Sequence, residues 1–437
     1  MNKLLVMYPF NPHRHVKIWL SSKPNVFLNP LNQLRLVRLR AMNPADKITF
    51  FYDANLLTPE AIQELNAFCT KHSIQALDVQ HAVFPLCRHP LDRRLIAAYQ
   101  DEVDNLERGG NLASASDKLR LLAPVILQGT YSDFDVDVKT ASLPDTIEVN
   151  SPLMIRLSSF FPYRGSSDER VSVNNEVFAV VNYRDALPTL QSIKEIALSL
   201  YEKQKPGTPI AKLPYSDDTS FMGLLLSKLA YQQNARQIRH SIMQLAQSNE
   251  SFYKAMCFFD RLEVDGERLS YGPGTKECSP QALHAMGLEI KMRLLESFSS
   301  ASEPRKVRLR PLLLSNNSRD FLDFNRQELE ELMIQKTVIS STGPNAYCFG
   351  ILGGNHFNAT LMQREVNPVA LATYGLQRAF ISSNGYPMHV TIEEKQIAEE
   401  QSVNDASWLA CGIQTLFEKE QRMDEAARII QNKLLRR

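Results

Sequence analysis

An α/β fold with a mostly parallel sheet and helices on its faces is what this 437-residue sequence predicts. The first ~150 residues alternate strand-like and helix-like stretches, the rhythm of parallel strands joined by crossover helices. Past Asp218 the chain turns predominantly helical, with no repeat at a fixed period and no low-complexity tract. The composition, 44% hydrophobic and 22% charged, belongs to a folded chain long enough to bury a sizeable core.

The elements follow in order. The apolar run Leu4-Leu5-Val6-Met7-Tyr8 reads as a strand, and Val16-Lys17-Ile18-Trp19-Leu20 as a short buried one. Leu31, Leu34, Leu36 and Leu39 have helical spacing, ended by Asn43-Pro44. Lys47 to Tyr52 is a strand by its β-branched and aromatic content. Thr58-Pro59-Glu60 then opens a helix: Thr58 can cap, Pro59 suits the first helical position, and an acid favours the first turn. Its apolar face is Ile62, Leu65 and Phe68. Gly109 and Gly110 break the chain before a helical stretch from Ser114 to Leu127, and Tyr131 to Val138 follows as a turn loaded with acids. Glu176 to Tyr183 reads as a strand and Leu187 to Tyr201 as a helix, with a surface loop between Lys203 and Asp218. Helices are expected over Phe221 to Ala246 and Gln281 to Phe298, and a charged, solvated helical run over Glu393 to Arg437. Lys306-Val307-Arg308-Leu309-Arg310 alternates base and apolar as a half-buried strand does.

A formal net charge of +1 argues against a dedicated nucleic-acid binder, whose affinity rests on a basic excess. Apolar runs such as Phe221 to Leu226 stop far short of the ~20 residues that span a bilayer, so no transmembrane helix is expected. The first residues lack the long apolar stretch and small-residue cleavage site of a secretory signal. Six cysteines sit far apart with no C-x-x-C pair, the pattern of thiols in a reducing compartment.

The sharpest local feature is Tyr131-Ser132-Asp133-Phe134-Asp135-Val136-Asp137. Three carboxylates at alternate positions would point one way on an extended segment, and like charges that close raise each other's pKa unless a cation neutralises them. Hard divalent cations such as Mg²⁺ and Mn²⁺ take oxygen ligands, commonly one or two carboxylates plus substrate phosphates. The segment therefore reads as a metal–diphosphate site at a strand end, or else as an acidic surface turn. Upstream, Asp117 and Arg120 share one helix face; together they could hold a sugar's hydroxyls or form an ion pair. His13-Arg14-His15 offers two imidazoles but no identifiable third ligand. Gly353-Gly354-Asn355-His356 and Tyr271-Gly272-Pro273-Gly274 read as turns. Trp19 on its own is a core tryptophan.

The stretch from Asn111 to Arg120, followed by Gly129 to Asp135, resembles the core of the glucosyltransferase domain of the large clostridial glucosylating toxins. That family reads N-L-A-A-A-S-D-I-L-R, then a helix, then G-G-M-Y-L-D-V-D. More similarities follow in the same order. Ile18-Trp19 resembles the family's early strand with its Trp, and Phe51-Tyr52-Asp53-Ala54-Asn55 resembles F-Y-D-S-N. Val181-Asn182 resembles an I-N pair, Ser341 to Tyr347 resembles L-S-G-P-E-A-Y, and Ala406-Ser407-Trp408 resembles A-S-L-W.

The resemblance implies a GT-A fold, a UDP-sugar donor, Mn²⁺ or Mg²⁺, and transfer to a protein hydroxyl with retention at the anomeric carbon. Asp135 would bind the metal directly, and Asp133 the ribose and the metal through water. Asp117 and Arg120 would hold the sugar hydroxyls, Trp19 would stack on the uracil and Asn55 would help hold the uridine. Tyr131 would line the nucleotide-sugar site and Asn182 its sugar or acceptor side. Ser407 and Trp408 would sit on a loop closing over the diphosphate, where an indole N–H can reach the leaving oxygen. Val181, moderately bulky, favours UDP-glucose over UDP-N-acetylglucosamine.

The sequence departs from the family pattern in four places. Pro124 falls inside the helix between Arg120 and Gly129, where it should kink or end the helix. Asp137 adds a third acid, so the metal pair could be Asp135 and Asp137, although the register from Tyr131 favours Asp133 and Asp135. Ser407 and Trp408 are adjacent where the family has one residue between them. No counterpart is expected for the family's N-terminal helical bundle for membrane attachment or for its protease and delivery regions.

The expected organisation is a nucleotide-sugar-binding core begun by residues 1–200 and completed by 336–437, with a mainly helical insertion over 201–335 that shapes acceptor recognition. The expected function is a bacterial effector or toxin that glucosylates a Ser or Thr of a host protein in the host cytosol. Two other readings are a catalytically inactive module that engages a host protein and a metal-dependent phosphohydrolase using the Asp triplet.

Overall fold

A computed structural model describes residues 6–160, 170–209, 212–216, 220–265, 268–271, 279–301, 303–352, 357–358, 376 and 379–382. The chain forms two compact units: described residues of Met1–Asp104, Asn111–Ser199 and Ile339–Arg437 make the first, and those of Asn105–Gly110 and Leu200–Val338 the second.

The first unit opens with β1 (Tyr8–Phe10), β2 (Arg14–Ile18), α1 (Pro30–Met42), β3 (Lys47–Tyr52), α2 (Pro59–Lys71) and β4 (Gln75–Asp78). It continues through α3 (Val79–Ala82), α4 (Pro90–Asp104), α5 (Leu112–Leu119), α6 (Ala123–Ile126), β5 (Thr130–Ser132) and β6 (Val136–Val138). Next come β7 (Ile147–Val149), β8 (Leu153–Phe160), β9 (Arg170–Val180) and α7 (Tyr183–Tyr201). The chain then passes through α8 (Phe221–Ala230), α9 (Ala235–Leu245), α10 (Asn249–Cys257), β10 (Leu262–Asp265), β11 (Arg268–Tyr271), α11 (Pro280–Phe298), α12 (Glu303–Leu313) and α13 (Ser318–Ser341). It returns to the first unit with α14 (Pro344–Leu352), β12 (Phe357–Asn358) and β13 (Phe380–Ser382).

The α/β class expected from the sequence is the one observed. The main sheet runs β12-β9-β5-β2-β3-β4, with β8 along β9. Its core, β5-β2-β3-β4, is parallel, and β9 joins β5 antiparallel. Parallel strands covered on both faces are apolar on both sides, which explains why Ile48, Phe50 and Phe51 of β3 are all buried. Caps set the helix starts: Asn29 accepts from the Asn32 N–H before Pro30, and Thr58 from the Ala61 N–H before Pro59. The second unit packs its own core around Leu225, Ile238, Ile242, Phe252, Leu309 and Phe321. Within it the buried Arg239 donates its Nε–H to the Gly109 carbonyl at 2.7 Å. No helix among the described residues is long and apolar enough to cross a membrane.

Several local expectations are corrected. The helical stretch over 114–127 is two helices, divided as Pro124 inside it implies: Leu122 is extended and α6 starts after it with Pro124 in its first turn. The helix over 221–246 is also broken, since Asn234 starts α9 with a reciprocal capping box to Gln237. The strand expected over 176–183 is longer on its N-terminal side and ends at Val180, with α7 starting at Tyr183. Lys306 to Arg310 lie in α12 rather than a strand. There Leu309 is buried while Val307 is 58% exposed, so the two apolar residues do not share a face. Lys, Arg and Leu are good helix formers, and that propensity outweighs an alternation only five residues long. The run from Glu393 to Arg437 and the glycine pairs at 272–274 and 353–354 lie outside the described residues.

Gly129 enters β5 with φ +152°, and a Cβ there would overlap the Arg14 carbonyl of the neighbouring β2. Gly129→Ala is expected to lower stability by roughly 3 kcal/mol or more, since backbone cannot give way cheaply. A denaturant midpoint equal to that of the wild type would contradict this.

Candidate functional site

The parallel strands β5, β2 and β3 end side by side, and the carboxyl edge of such a sheet is where α/β proteins build ligand sites. Three of the residues singled out from sequence follow those ends: Asp133 after β5, Trp19 after β2 and Asn55 after β3.

The acidic segment is not one extended strand. β5 stops at Ser132, and the Val136 N–H returns to the Asp133 carbonyl at 3.2 Å, closing a turn over Asp133 to Val136. Alternate positions therefore do not place the three carboxylates in a row. Asp137 lies on β6 and pairs with Arg38 of α1 at 3.2 Å, whereas Asp133 and Asp135 stay together in the turn. Burial, then the Asp133 charge, raise the Asp135 carboxyl to about 6, with Arg35 and Lys17 opposing.

Asp133 belongs to a buried polar cluster. It takes a hydrogen bond from the Tyr131 hydroxyl and lies 3.6 Å from the Arg120 guanidinium. Arg120 stacks on the Tyr131 ring at 4.1 Å, pairs with Asp117 at 3.1 Å and donates to the Asn175 carbonyl at 3.0 Å. Asp117 also accepts from Asn175 Nδ2 and from the Thr342 hydroxyl, each at 3.1 Å. Both members of the ion pair are 5% exposed. Burial works against the Arg120 charge, but Tyr131, Asp117 and Asp133 around it raise its pKa and keep it a cation. Burial raises the Asp117 carboxyl, with Arg120 opposing.

Beneath the turn lies Lys17, which sequence reading left without a role. Its ammonium donates to Ser132 Oγ at 2.8 Å and to the Asp133 carbonyl at 2.7 Å. Burial, against the pull of Asp133 and Asp135, brings its pKa down to about 7. The available signal was a lysine inside an otherwise apolar strand, a residue type that is almost never fully buried without partners.

Trp19 is half-buried and meets Phe134 of the turn edge-on, with centroids 5.7 Å apart. Its indole N–H is buried without a hydrogen-bond partner. Asn55 is exposed on a short turn held by Asp53, which accepts from the Asn55 N–H at 2.9 Å, the Tyr99 hydroxyl at 2.6 Å and Gln80 Nε2 at 2.9 Å. Asn182 does not join the acidic cluster; its side chain caps α7 by accepting from the Asp185 N–H. Ser407 and Trp408 lie outside the described residues. His13 and His15, which offered no third metal ligand, both bond Asp46, at 2.9 and 2.7 Å, and tie the base of β2 to the turn before β3.

Tyr347 of α14 completes the surroundings. Its ring meets Phe178 edge-on at 5.3 Å, and its buried hydroxyl has no hydrogen-bond partner. The acidic pair presents hard oxygen donors only, the set Mg²⁺ and Mn²⁺ prefer. Among the described residues no third His, Cys, Asp or Glu gathers with them, so the rest of a coordination shell would come from substrate oxygens and water. The raised Asp135 carboxyl fits such an ion, because a divalent charge relieves the repulsion that raises it.

A model of glycosyltransferase family 88 matches residues 4–253 of the 437. No curated protein matches the chain in sequence. Among solved structures, one described as PaToxG glycosyltransferase is 18% identical, with a TM-score of 0.34, covering 60% of this chain and 83% of its own. A second, described as a transferase, is 14% identical with a TM-score of 0.30, covering 46% of this chain and 82% of its own.

Proposed function

The chain belongs to glycosyltransferase family 88, and from that premise we propose that it is a metal-dependent, retaining enzyme that moves glucose from UDP-glucose onto a Ser or Thr hydroxyl of a host protein, acting as a bacterial effector or toxin. The family match gives a glycosyltransferase and not the clostridial toxin domain itself; donor, metal and acceptor are the proposal's own. The observation that carries it is the Asp133–Asp135 turn at the carboxyl end of β5, flanked by the Arg120–Asp117 pair and by Trp19 after the adjacent strand.

In this reading Asp133 and Asp135 hold Mn²⁺ or Mg²⁺, which when bound offsets the negative charge of the departing diphosphate. Trp19 stacks on the uracil with its indole N–H unspent, and Asn55 holds the uridine from the Asp53-braced turn. Asp117 and Arg120 take the sugar hydroxyls, and Tyr131 keeps Arg120 and Asp133 in register. Asn182 lines the sugar or acceptor side. Ser407 and Trp408 close over the diphosphate, exclude water and bring an N–H to the leaving oxygen. The helical second unit is assigned to acceptor recognition.

The test is UDP release from a panel of UDP-sugars with Mn²⁺, for wild type and the Asp133→Ala/Asp135→Ala double variant. Slow, Mn²⁺-dependent hydrolysis of UDP-glucose, lowered on the order of 100-fold or more in the variant, is expected. If calorimetry also finds no Mn²⁺-dependent binding of any UDP-sugar, the enzyme reading falls and the inactive host-binding module replaces it. Phosphate release without a sugar donor would instead indicate a phosphohydrolase.

A further inference from the structure

Asp117 is tied to a part of the chain 225 residues away through Thr342, and Thr342 is the end of a longer buried line. Glu102 Oε1 accepts from the Lys118 ammonium at 3.0 Å; the ammonium also donates to Ser114 Oγ at 2.8 Å. Ser114 Oγ lies 3.1 Å from Thr342 Oγ1, and Thr342 Oγ1 lies 3.1 Å from Asp117 Oδ2. Glu102, Lys118, Ser114 and Thr342 are all at most 1% exposed.

The direction of every proton in this line follows from donor and acceptor counts. An ammonium only donates, so Ser114 accepts from Lys118 and keeps its own hydrogen for Thr342. Thr342 has one hydrogen, and an ionised Asp117 can only accept it. The hydroxyls of Ser114 and Thr342 are therefore both aligned from cation to carboxylate, and each bond polarises the next. Asp117 Oδ1 is occupied separately by Arg120 and Asn175. With both oxygens held, the carboxylate cannot rotate, and the lone pair left on Oδ2 keeps one orientation.

We infer that Thr342 is a positioning residue for sugar recognition: it orients Asp117 to accept a hydrogen bond from a hydroxyl of the donor's hexose, at the end of a line set by Lys118 and Ser114. This rests on the reading that Asp117 touches the donor sugar. The line favours the ionised carboxylate that sugar hydroxyls require, against the burial that raises its pKa.

The test compares binding of UDP and UDP-glucose with Mn²⁺, by calorimetry, for wild type, Thr342→Val, Thr342→Ser and Ser114→Ala. A hydrogen bond to a charged group contributes ~1.5–3 kcal/mol, so Thr342→Val is expected to weaken UDP-glucose ~10- to 100-fold. UDP alone, which lacks the hexose, is expected to bind as to wild type. Thr342→Ser should restore UDP-glucose binding, and Ser114→Ala, one bond farther away, should weaken it in the same sense but less. Equal loss of UDP and UDP-glucose, or UDP-glucose binding unchanged in Thr342→Val and Ser114→Ala, overturns the inference while leaving the proposed function standing. A wild type that binds no UDP-sugar overturns the function and the inference together.

Discussion

Asp135→Asn is expected to make the metal-free protein more stable at neutral pH and, on the reading proposed above, to abolish Mn²⁺-dependent donor binding. The Asp135 carboxyl stands near 6 in the fold, against 3.8 ordinarily, because burial and the Asp133 charge disfavour ionisation. A folded-state pKa above the unfolded value means that the folded chain holds a proton the unfolded chain releases. Stability therefore falls as pH rises from ~4 to ~6 and stays reduced above that. The Asn variant escapes this penalty, with a gain of about 1–3 kcal/mol at pH 7.5 and none below pH 4. Melting curves of both proteins from pH 4 to 8, in a chelator, measure it. Equal melting temperatures at pH 7.5 would refute the repulsion. Added Mn²⁺ should raise the melting temperature of the wild type only, since a ligand that binds the folded state stabilises it.

The Lys118–Glu102 pair carries the second large effect. Its side chains are 1% and 0% exposed, joined at 3.0 Å, and Glu102 also accepts from the Asn111 N–H at the start of α5. Lys118→Met takes the ammonium at 3.0 Å away from the buried Glu102 carboxylate and is expected to cost ~3–5 kcal/mol. Replacing a buried pair together is far milder than breaking it, so Lys118→Met/Glu102→Gln should recover to within ~2 kcal/mol of wild type, the amide still accepting from Asn111. Denaturant unfolding of the four proteins closes a double-mutant cycle. Strict additivity would show that the pair is not coupled. The recovered double variant should still bind UDP-glucose more weakly than wild type, because Ser114 has lost its ammonium donor.

Much of the fold was legible because its signals are short-range. Thr58-Pro59 caps its helix where the sequence places it, and the apolar Lys47–Tyr52 run is a strand buried on both faces. The parallel arrangement follows from the alternation of such elements. Where local reading failed, a competing local signal was outweighed: Asn234 restarted a helix that apolar spacing ran through, and helix propensity overrode the alternation in Lys306–Arg310.

By itself the sequence determined the α/β class, the start of α2 at Thr58-Pro59 and the presence of Asp117, Arg120, Asp133 and Asp135 on neighbouring segments. Only the tertiary structure decided which acids stay together: a turn keeps Asp133 with Asp135, while Arg38 of α1 claims Asp137. It alone brought Lys17 of β2 beneath that turn and Thr342 onto Asp117. Caps, breakers and periodicity act over a few residues and are written locally. The partner of a buried charge is whatever the strand order and helix packing bring within about 3 Å, and that is settled only when the chain closes on itself.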